Sequence, residues 1–226
     1  MAVEHACTGR FRKDRDLVRG LAVSDYQTVF GPWLDGLGLT GPHSGGSPYD
    51  RVRTFWLFLS QMFSSDGSCQ EVVCRAAAWL LAECNEVLSM STSAYCQARA
   101  RLPVEFLEGV SRHVVTQIQE RFGDCWLWHG RHAKVVDGTT GSMPDTPENQ
   151  EAWPQPDGQK PGVGFPMMRM VGLFCMATGS LLDVACGTLR DSEKVLWPRL
   201  WHRLDPGDVL VADRGFCSFA NMWLLL

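Results

Sequence analysis

The sequence predicts an α+β protein, with a helical N-terminal region over residues 1–132 and an α/β region over residues 133–226. Three observations predict it. Apolar residues recur at helical spacing through the first part. The period shortens after residue 133, where β-type apolar runs alternate with turn residues. Two of those runs, Lys134-Val135-Val136 and Val209-Leu210-Val211-Ala212, lead directly into aspartates, Asp137 and Asp213.

The elements follow in order. Gly31-Pro32, Gly41-Pro42 and Gly45-Gly46 mark a loop after a weak first helix. From Asp50 to Phe63 the residues Val52, Phe55, Trp56, Leu59 and Phe63 form one helical stripe. Ser68 with Glu71 reads as a capping box opening a helix to about Leu88. Ser93 to Leu102 reads as a short helix, and Pro103 starts a longer one with Leu107, Val110, Val114, Ile118 and Phe122 on its core face. Residues 141–166 hold six prolines and four glycines and read as a long surface loop. Met167–Ala177 and Leu181–Leu189, split by Thr178-Gly179-Ser180, read as a hairpin. Residues 192–204 read as a helix that Pro198 kinks or delays. A buried strand from Asp208 follows, and Ser218 caps a last helix.

Composition narrows the function. With 45% apolar and 20% charged residues, the chain is neither disordered nor collagen-like. The formal charge of −4 argues against a sequence-independent DNA coat protein. It is unevenly placed. Residues 1–136 carry 14 basic and 14 acidic side chains, whereas residues 137–226 carry 7 and 11. No apolar run reaches the roughly 18 residues of a membrane span, and Met1–Arg19 lacks a signal-peptide core, so the expected location is cytoplasmic. Nine irregularly spaced cysteines, without Cys-x-x-Cys, read as free thiols in a reducing compartment. His129 and His132 have zinc-compatible spacing, but no partner stands nearby at ligand spacing, and they read as surface histidines. Trp126 and Trp128 read as packing residues at the junction of the two parts.

The two aspartate-terminated runs carry the chemistry. Fully apolar strands usually lie in a sheet covered on both faces, and sites form beyond strand carboxyl ends. If the two strands are parallel neighbours, Asp137 and Asp213 meet at one edge. Two close carboxylates repel unless a cation lies between them. Magnesium takes oxygen ligands, and a two-metal site suits phosphoryl transfer. Asp followed by Gly is also ordinary turn chemistry.

Further segments extend the pattern. They are Val136-Asp137-Gly138-Thr139-Thr140, Asp145-Thr146-Pro147-Glu148-Asn149-Gln150, Gln159-Lys160-Pro161-Gly162 and Asp213-Arg214-Gly215-Phe216. Upstream stand Phe58-Leu59-Ser60-Gln61, Asp66-Gly67-Ser68-Cys69 and Ala94-Tyr95-Cys96-Gln97-Ala98-Arg99-Ala100-Arg101-Leu102-Pro103. In order and number these resemble the DDE transposases of bacterial insertion sequences, the group typified by insertion sequence four, from about residue 50 to the end. The resemblance implies an RNase H-like catalytic domain behind a helical DNA-contacting region. It makes Asp137 and Asp213 the first and second catalytic acids and ligands of two magnesium or manganese ions, for cleavage of transposon ends and joining to target DNA. Arg214, Asn149, Gln150, Gln159 and Lys160 are candidates for DNA contact, and Arg99 and Arg101, with Arg131 and Lys134, for a basic DNA face. Thr139 and Thr140 either bond phosphate or shape the turn. Implied partners are double-stranded terminal-repeat and target DNA, with a homodimer or a mixed oligomer with full-length transposase.

One family feature is missing. The third acid, a glutamate in a Tyr-Arg-Glu-Lys type signature, has no counterpart, and the sequence stops thirteen residues after Asp213. The expectation is a C-terminally truncated transposase, with an incomplete RNase H-like domain, inactive by itself. The alternatives are a DNA-end-binding or inhibitory fragment, and a related nuclease without a transposition role.

Overall fold

The computed structural model describes residues 21–39, 47–160 and 162–225. The N-terminal stretch Met1–Arg19, the glycines and proline at 41–46 and Pro161 lie outside the described residues. The chain divides into two compact units, one ending at Val114 and the other starting at Val115. The division falls inside a long helix, upstream of the boundary read from charge and period.

The first unit is helical. It comprises α1 (Val23–Phe30), a 3-10 turn (Gly31–Trp33), α2 (Arg51–Phe63), α3 (Cys69–Cys84), α4 (Ser93–Ala100) and the start of α5 (Val104–Phe122). The caps explain the boundaries. The Asp50 carboxylate accepts from the Arg53 N–H at 2.8 Å, and Ser68 Oγ accepts from the Glu71 N–H at 3.2 Å. Helix α3 stops four residues before Leu88, because Asn85 takes a left-handed φ of 54° and closes the helix there. Its core gathers Val23, Tyr26, Phe55, Trp56, Leu57, Val72, Val73 and Tyr95. A polar junction lies within it. Gln61 Oε1 accepts from the Tyr95 hydroxyl at 2.7 Å and from Arg99 at 3.1 Å, while Gln61 Nε2 donates to the Gly67 carbonyl at 2.7 Å. One amide thereby ties α2, the α2–α3 turn and α4 together.

The second unit is a four-stranded mixed sheet with residues 193–203 packed on one face. It contains β1 (Ala133–Ser142), α6 (Pro147–Ala152), β2 (Met167–Cys175), β3 (Leu181–Thr188), α7 (Glu193–Leu196), a 3-10 segment (Trp197–Arg203), β4 (Val209–Ala212) and α8 (Phe219–Leu225). The sheet order is β3-β2-β1-β4, with β1 antiparallel to β2 and parallel to β4. The hairpin forms as read. Pro198 sits in the first turn of the 3-10 segment and ends α7 as an α-helix. Ser218 Oγ accepts from the Asn221 N–H at 3.1 Å and caps α8.

Several expectations are corrected. Strand β1 does not stop at Asp137 but runs to Ser142, because β2 supplies partners as far as Ser142–Met167. The stretch 141–166 is not a featureless loop, since Thr146 caps α6 within it at 3.2 Å. The sheet is covered on one face only among the described residues. Val136, Val171, Leu173 and Ala185 pack under Leu196, Trp197, Leu200 and Phe216, whereas Val184 and Val211 are each 43% exposed. Alternation along a strand puts the two sets on opposite faces. Trp126 and Trp128 are exposed at 44% and 49% rather than packed. His129 and His132 are exposed, as read, and His132 lies 3.4 Å from Asp124.

Lys134 is no part of a basic face. It is buried on β1, and its ammonium donates to the Arg203 carbonyl at 2.6 Å and meets Asp208 at 2.6 Å and Asp205 at 3.3 Å. The Asp208 side chain is only 8% exposed. The pair therefore joins β1 to the residue that opens β4.

Lys134→Ala leaves Asp208 buried without its cation and is expected to destabilise the chain by about 3 kcal/mol, read by denaturant unfolding. Lys134→Met keeps the stem but not the charge and should remain destabilised. Tyr95→Phe removes one donor from Gln61, which keeps Arg99, and should cost about 1 kcal/mol. Asp183 gives a pH test. Burial pushes its carboxyl up, but hydrogen bonds from Arg203 and the Val184 N–H, with the charges of Arg203 and His202, outweigh this and hold it below the usual range. A depressed folded-state pKa contributes stability that is full above the ordinary carboxyl value of about 3.9 and is lost as pH falls through the folded value. Asp183→Asn should therefore lower Tm at neutral pH, and the gap to wild type should narrow on acidification below that value.

Candidate functional site

The site follows from strand register. The parallel pairing of β1 with β4 runs Ala133–Val209, Lys134–Leu210, Val135–Val211 and Val136–Ala212. The next residue on each strand is an aspartate, Asp137 and Asp213. They leave the paired region side by side, at the carboxyl end of both strands, where neighbouring chains are about 4.8 Å apart. The pairing expected from the sequence is the one observed.

Local structure fixes each backbone. Val136 is buried beside Asp137 and anchors β1 in the core, so Asp137 faces the uncovered side of the sheet. Asp137 Oδ1 accepts from the Gly138 N–H at 2.8 Å. Asp213 Oδ1 accepts from the Gly215 N–H at 2.8 Å, and its carbonyl accepts from the Phe216 N–H at 3.2 Å. Phe216 is buried against Trp197 with ring centroids 6.3 Å apart, which pins the turn that carries Asp213. Both aspartates are exposed, and neither has an ion-pair partner among the described residues. One carboxylate oxygen of each is thus held by backbone while the other is left to solvent. The donor set is hard oxygen, which suits magnesium or manganese, and supplies two ligands. Among the described residues no group of three His, Cys, Asp or Glu side chains is placed to hold a metal ion.

A further carboxylate nearby escaped the sequence reading. Glu193, at the start of α7, lies against Gly138 and occupies the space that a β-carbon there would need. Gly138 alternates with Asp137 along β1, so Glu193 sits on the opposite face of the sheet from the Asp137 side chain. It does not join the aspartate pair. No sequence signal marked it, because its position depends on how α7 crosses the sheet.

The other candidates separate into exposed and structural residues. Arg214 is exposed beside Asp213 without an ion-pair partner among the described residues. Arg101 and Arg131 are exposed in the first and second units, whereas Arg99 is half-buried, bonded to Gln61 and set over the Tyr95 ring at 5.9 Å. Thr139 and Thr140 lie within β1 opposite Met170 and Arg169 rather than in a turn. Asn149 Nδ2 donates to the Pro144 carbonyl at 2.9 Å, and Gln150 Nε2 donates to Asp145 at 2.8 Å and to the Gly164 carbonyl at 3.0 Å. These two amides shape the segment between β1 and β2. Gln159 and Lys160 are exposed, and their carbonyls are held by Gln155 Nε2 at 3.1 and 2.8 Å. Gln155 Oε1 also accepts from the Gly162 and Gly164 N–H groups at 3.1 and 3.3 Å. Gln155 is therefore the organiser of this segment. Its only sequence signal is its place as a lone amide between Pro154 and Pro156. The segment is rooted at Ser142 and Met167, five residues along β1 from Asp137, or about 17 Å of strand.

Known proteins share this part of the chain. Residues 128–223, which span both aspartates, match the model of the transposase DDE domain. Among curated proteins, the chain is 28% identical over 141 residues to the transposase InsG for insertion sequence element IS4 of Escherichia coli (strain K12), a match covering 60% of this chain and 31% of that protein. It is also 28% identical over 133 residues to the putative transposase InsZ of the same organism, covering 57% of this chain and 44% of that one. The matched stretches span less than half the length of these two relatives. No solved structure matches the chain significantly. The sheet order, the parallel β1–β4 pair and the family match agree on an RNase H-like α+β unit, and residues 128–223 are similar to the transposase DDE domain.

Proposed function

We propose that Asp137 and Asp213 are the first two catalytic acids of a transposase that cuts DNA at the ends of an insertion sequence and joins them to target DNA. The observation that carries the reading is the β1–β4 register, which brings the two carboxylates out of the sheet as adjacent positions. When bound between them, a divalent cation supplies charge stabilisation at the phosphate oxygens. The chain's own residues do the rest. Asp137 and Asp213 hold oxygen ligands toward the open side of the sheet, and the buried Val136 and Phe216 keep their backbones from yielding. Arg214, exposed next to Asp213, is placed to meet a DNA phosphate. Gln159 and Lys160 offer exposed side chains for backbone contact. Asn149, Gln150 and Arg99 act as positioning residues, because their polar groups are already used within the protein. The site of action is the cytoplasm.

Among the described residues two carboxylates stand together at this site, so cation binding by the chain is weak and its turnover very low. Manganese titration of the whole chain, followed calorimetrically, should show weak binding. Asp137→Asn and Asp213→Asn should each reduce it by more than the roughly tenfold typical of changes one shell further out. Supercoiled plasmid should stay intact with the chain and manganese. Manganese affinity unchanged in both variants, or nicking that survives Asp137→Asn, would overturn the assignment of these acids.

A further inference from the structure

In the α/β unit two clefts flank one ion pair. The turn after β3 is closed by Asp191, whose carboxylate accepts from the Thr188 N–H at 2.7 Å and from the Thr188 hydroxyl at 3.0 Å. This fixes the backbone around Arg190 and leaves the Arg190 side chain 69% exposed. The guanidinium reaches across to the segment between β1 and β2. There Nη2 and Nε donate to the two carboxylate oxygens of Asp157 at 2.8 and 3.3 Å. On one side of the pair lies a cleft of about 500 Å³, with Gln150, Gln155 and Gln159 in its wall. On the other lies a cleft of about 300 Å³ lined by Arg169, Thr188 and Arg190. Arg169 is the second cation of this smaller cleft. Its Nη1 donates to the Asp191 backbone carbonyl at 2.8 Å, while its Nε is buried without an acceptor among the described residues. The Asp191 carboxylate, already committed to Thr188, feels the Arg169 charge.

We propose that a backbone phosphate of DNA binds in the smaller cleft, held by Arg190 on its release from Asp157 and drawn in by the charge of Arg169. An ion pair whose two side chains are 69% and 70% exposed contributes little in water, so a phosphate displaces the Asp157 carboxylate at small cost. Arg190 meets the phosphate with the same two donors that it now gives to Asp157, because a guanidinium forks onto phosphate and carboxylate alike. Asp157 thereby keeps the cation oriented until DNA arrives. The cleft is also well placed. Arg169 stands opposite Thr140, three residues or about 10 Å of strand beyond Asp137. Strands β1, β3 and β4 run in the same direction, and the two aspartates and the cleft all lie toward their carboxyl ends, where ligands meet such sheets. Alternation along β2 turns Arg169 away from the face that carries Asp137, so the phosphate is met at the end of the sheet rather than on the open face. The inference rests on the DNA-cutting reading and adds Arg169 and Arg190 to the residues that hold the DNA backbone.

The test titrates the whole chain into a fluorescently labelled DNA duplex of mixed sequence, in EDTA, and reads anisotropy over a series of salt concentrations. Arg190→Ala should weaken binding several-fold and make the slope of log affinity against log salt shallower by about 0.9, the counterion release of one phosphate. Arg190→Lys should keep the slope but bind less tightly than wild type, because the forked donors are lost. Asp157→Asn should act in the opposite direction and tighten binding. Its gain should exceed that of Glu151→Gln, which removes the same charge from exposed α6 without touching Arg190. A purely structural ion pair would move Arg190→Ala and Asp157→Asn the same way. Equal affinity and slope in Arg190→Ala and wild type, or an Asp157→Asn gain no larger than that of Glu151→Gln, rejects the cleft and leaves the catalytic acids untouched, since no metal is present. A wild-type chain that binds no duplex even at low salt rejects the DNA reading and the cleft together. Inorganic phosphate bound calorimetrically through Arg190, with duplex affinity unchanged in Arg190→Ala, makes the cleft a free-anion site and also sinks the proposal.

Discussion

The parallel pairing of β1 with β4 is the constraint on which the rest of the α/β unit depends. Parallel strands need a crossover, and here the connection runs through β2, β3, α7 and the 3-10 segment before the chain returns beside β1. Four register pairs then bring Val136 opposite Ala212. A slip of one residue would move every β4 side chain to the other face. It would also separate Asp137 from Asp213. Lys134 opposes such a slip, because its buried ammonium is saturated by Asp208, Asp205 and the Arg203 carbonyl at the entry to β4. The ion pair that holds the fold therefore also sets the site, although it lies three residues away from the first acid.

The two faces of the sheet divide the labour. One carries the apolar core under Trp197, Leu200 and Phe216 and is rigid for ordinary packing reasons. The other carries Asp137 among half-exposed valines. A carboxylate on the packed face would have required a buried partner, as Asp208 has in Lys134. On the open face Asp137 keeps its charge in water while its backbone is held from behind. Glu193 shows the converse. It is close to Asp137 along the chain path of β1, yet the sheet stands between them.

Part of this arrangement was legible in the sequence and part was not. Helix positions in the first unit followed from apolar spacing and from Ser68 as a cap, because both signals are local. The paired aspartates were legible because two short apolar runs ended in the same residue type. The segment after β1 was misread because proline and glycine density signals irregular backbone, while its order comes from Gln155, Gln150 and Asn149 reaching across several residues. Lys134 and Arg99 read as surface cations in the sequence but are tied to internal acceptors in the structure, for one reason. A basic residue on a predicted element reads as solvent-facing until a distant acceptor is known, and theirs lie 71 and 38 residues away.

The sequence by itself determined the order of the elements other than α6, most helix starts, the two candidate acids and the resemblance to transposases. These depend on residue type and on spacing within a few turns of chain. Tertiary structure alone decided that β4 lies beside β1 in the register that pairs the acids, that Glu193 falls on the wrong face to join them, and that Gln61, Tyr95 and Arg99 spend their polar groups on one junction. Each of these is a contact between residues far apart in the chain. Its energy depends on geometry that no local pattern encodes.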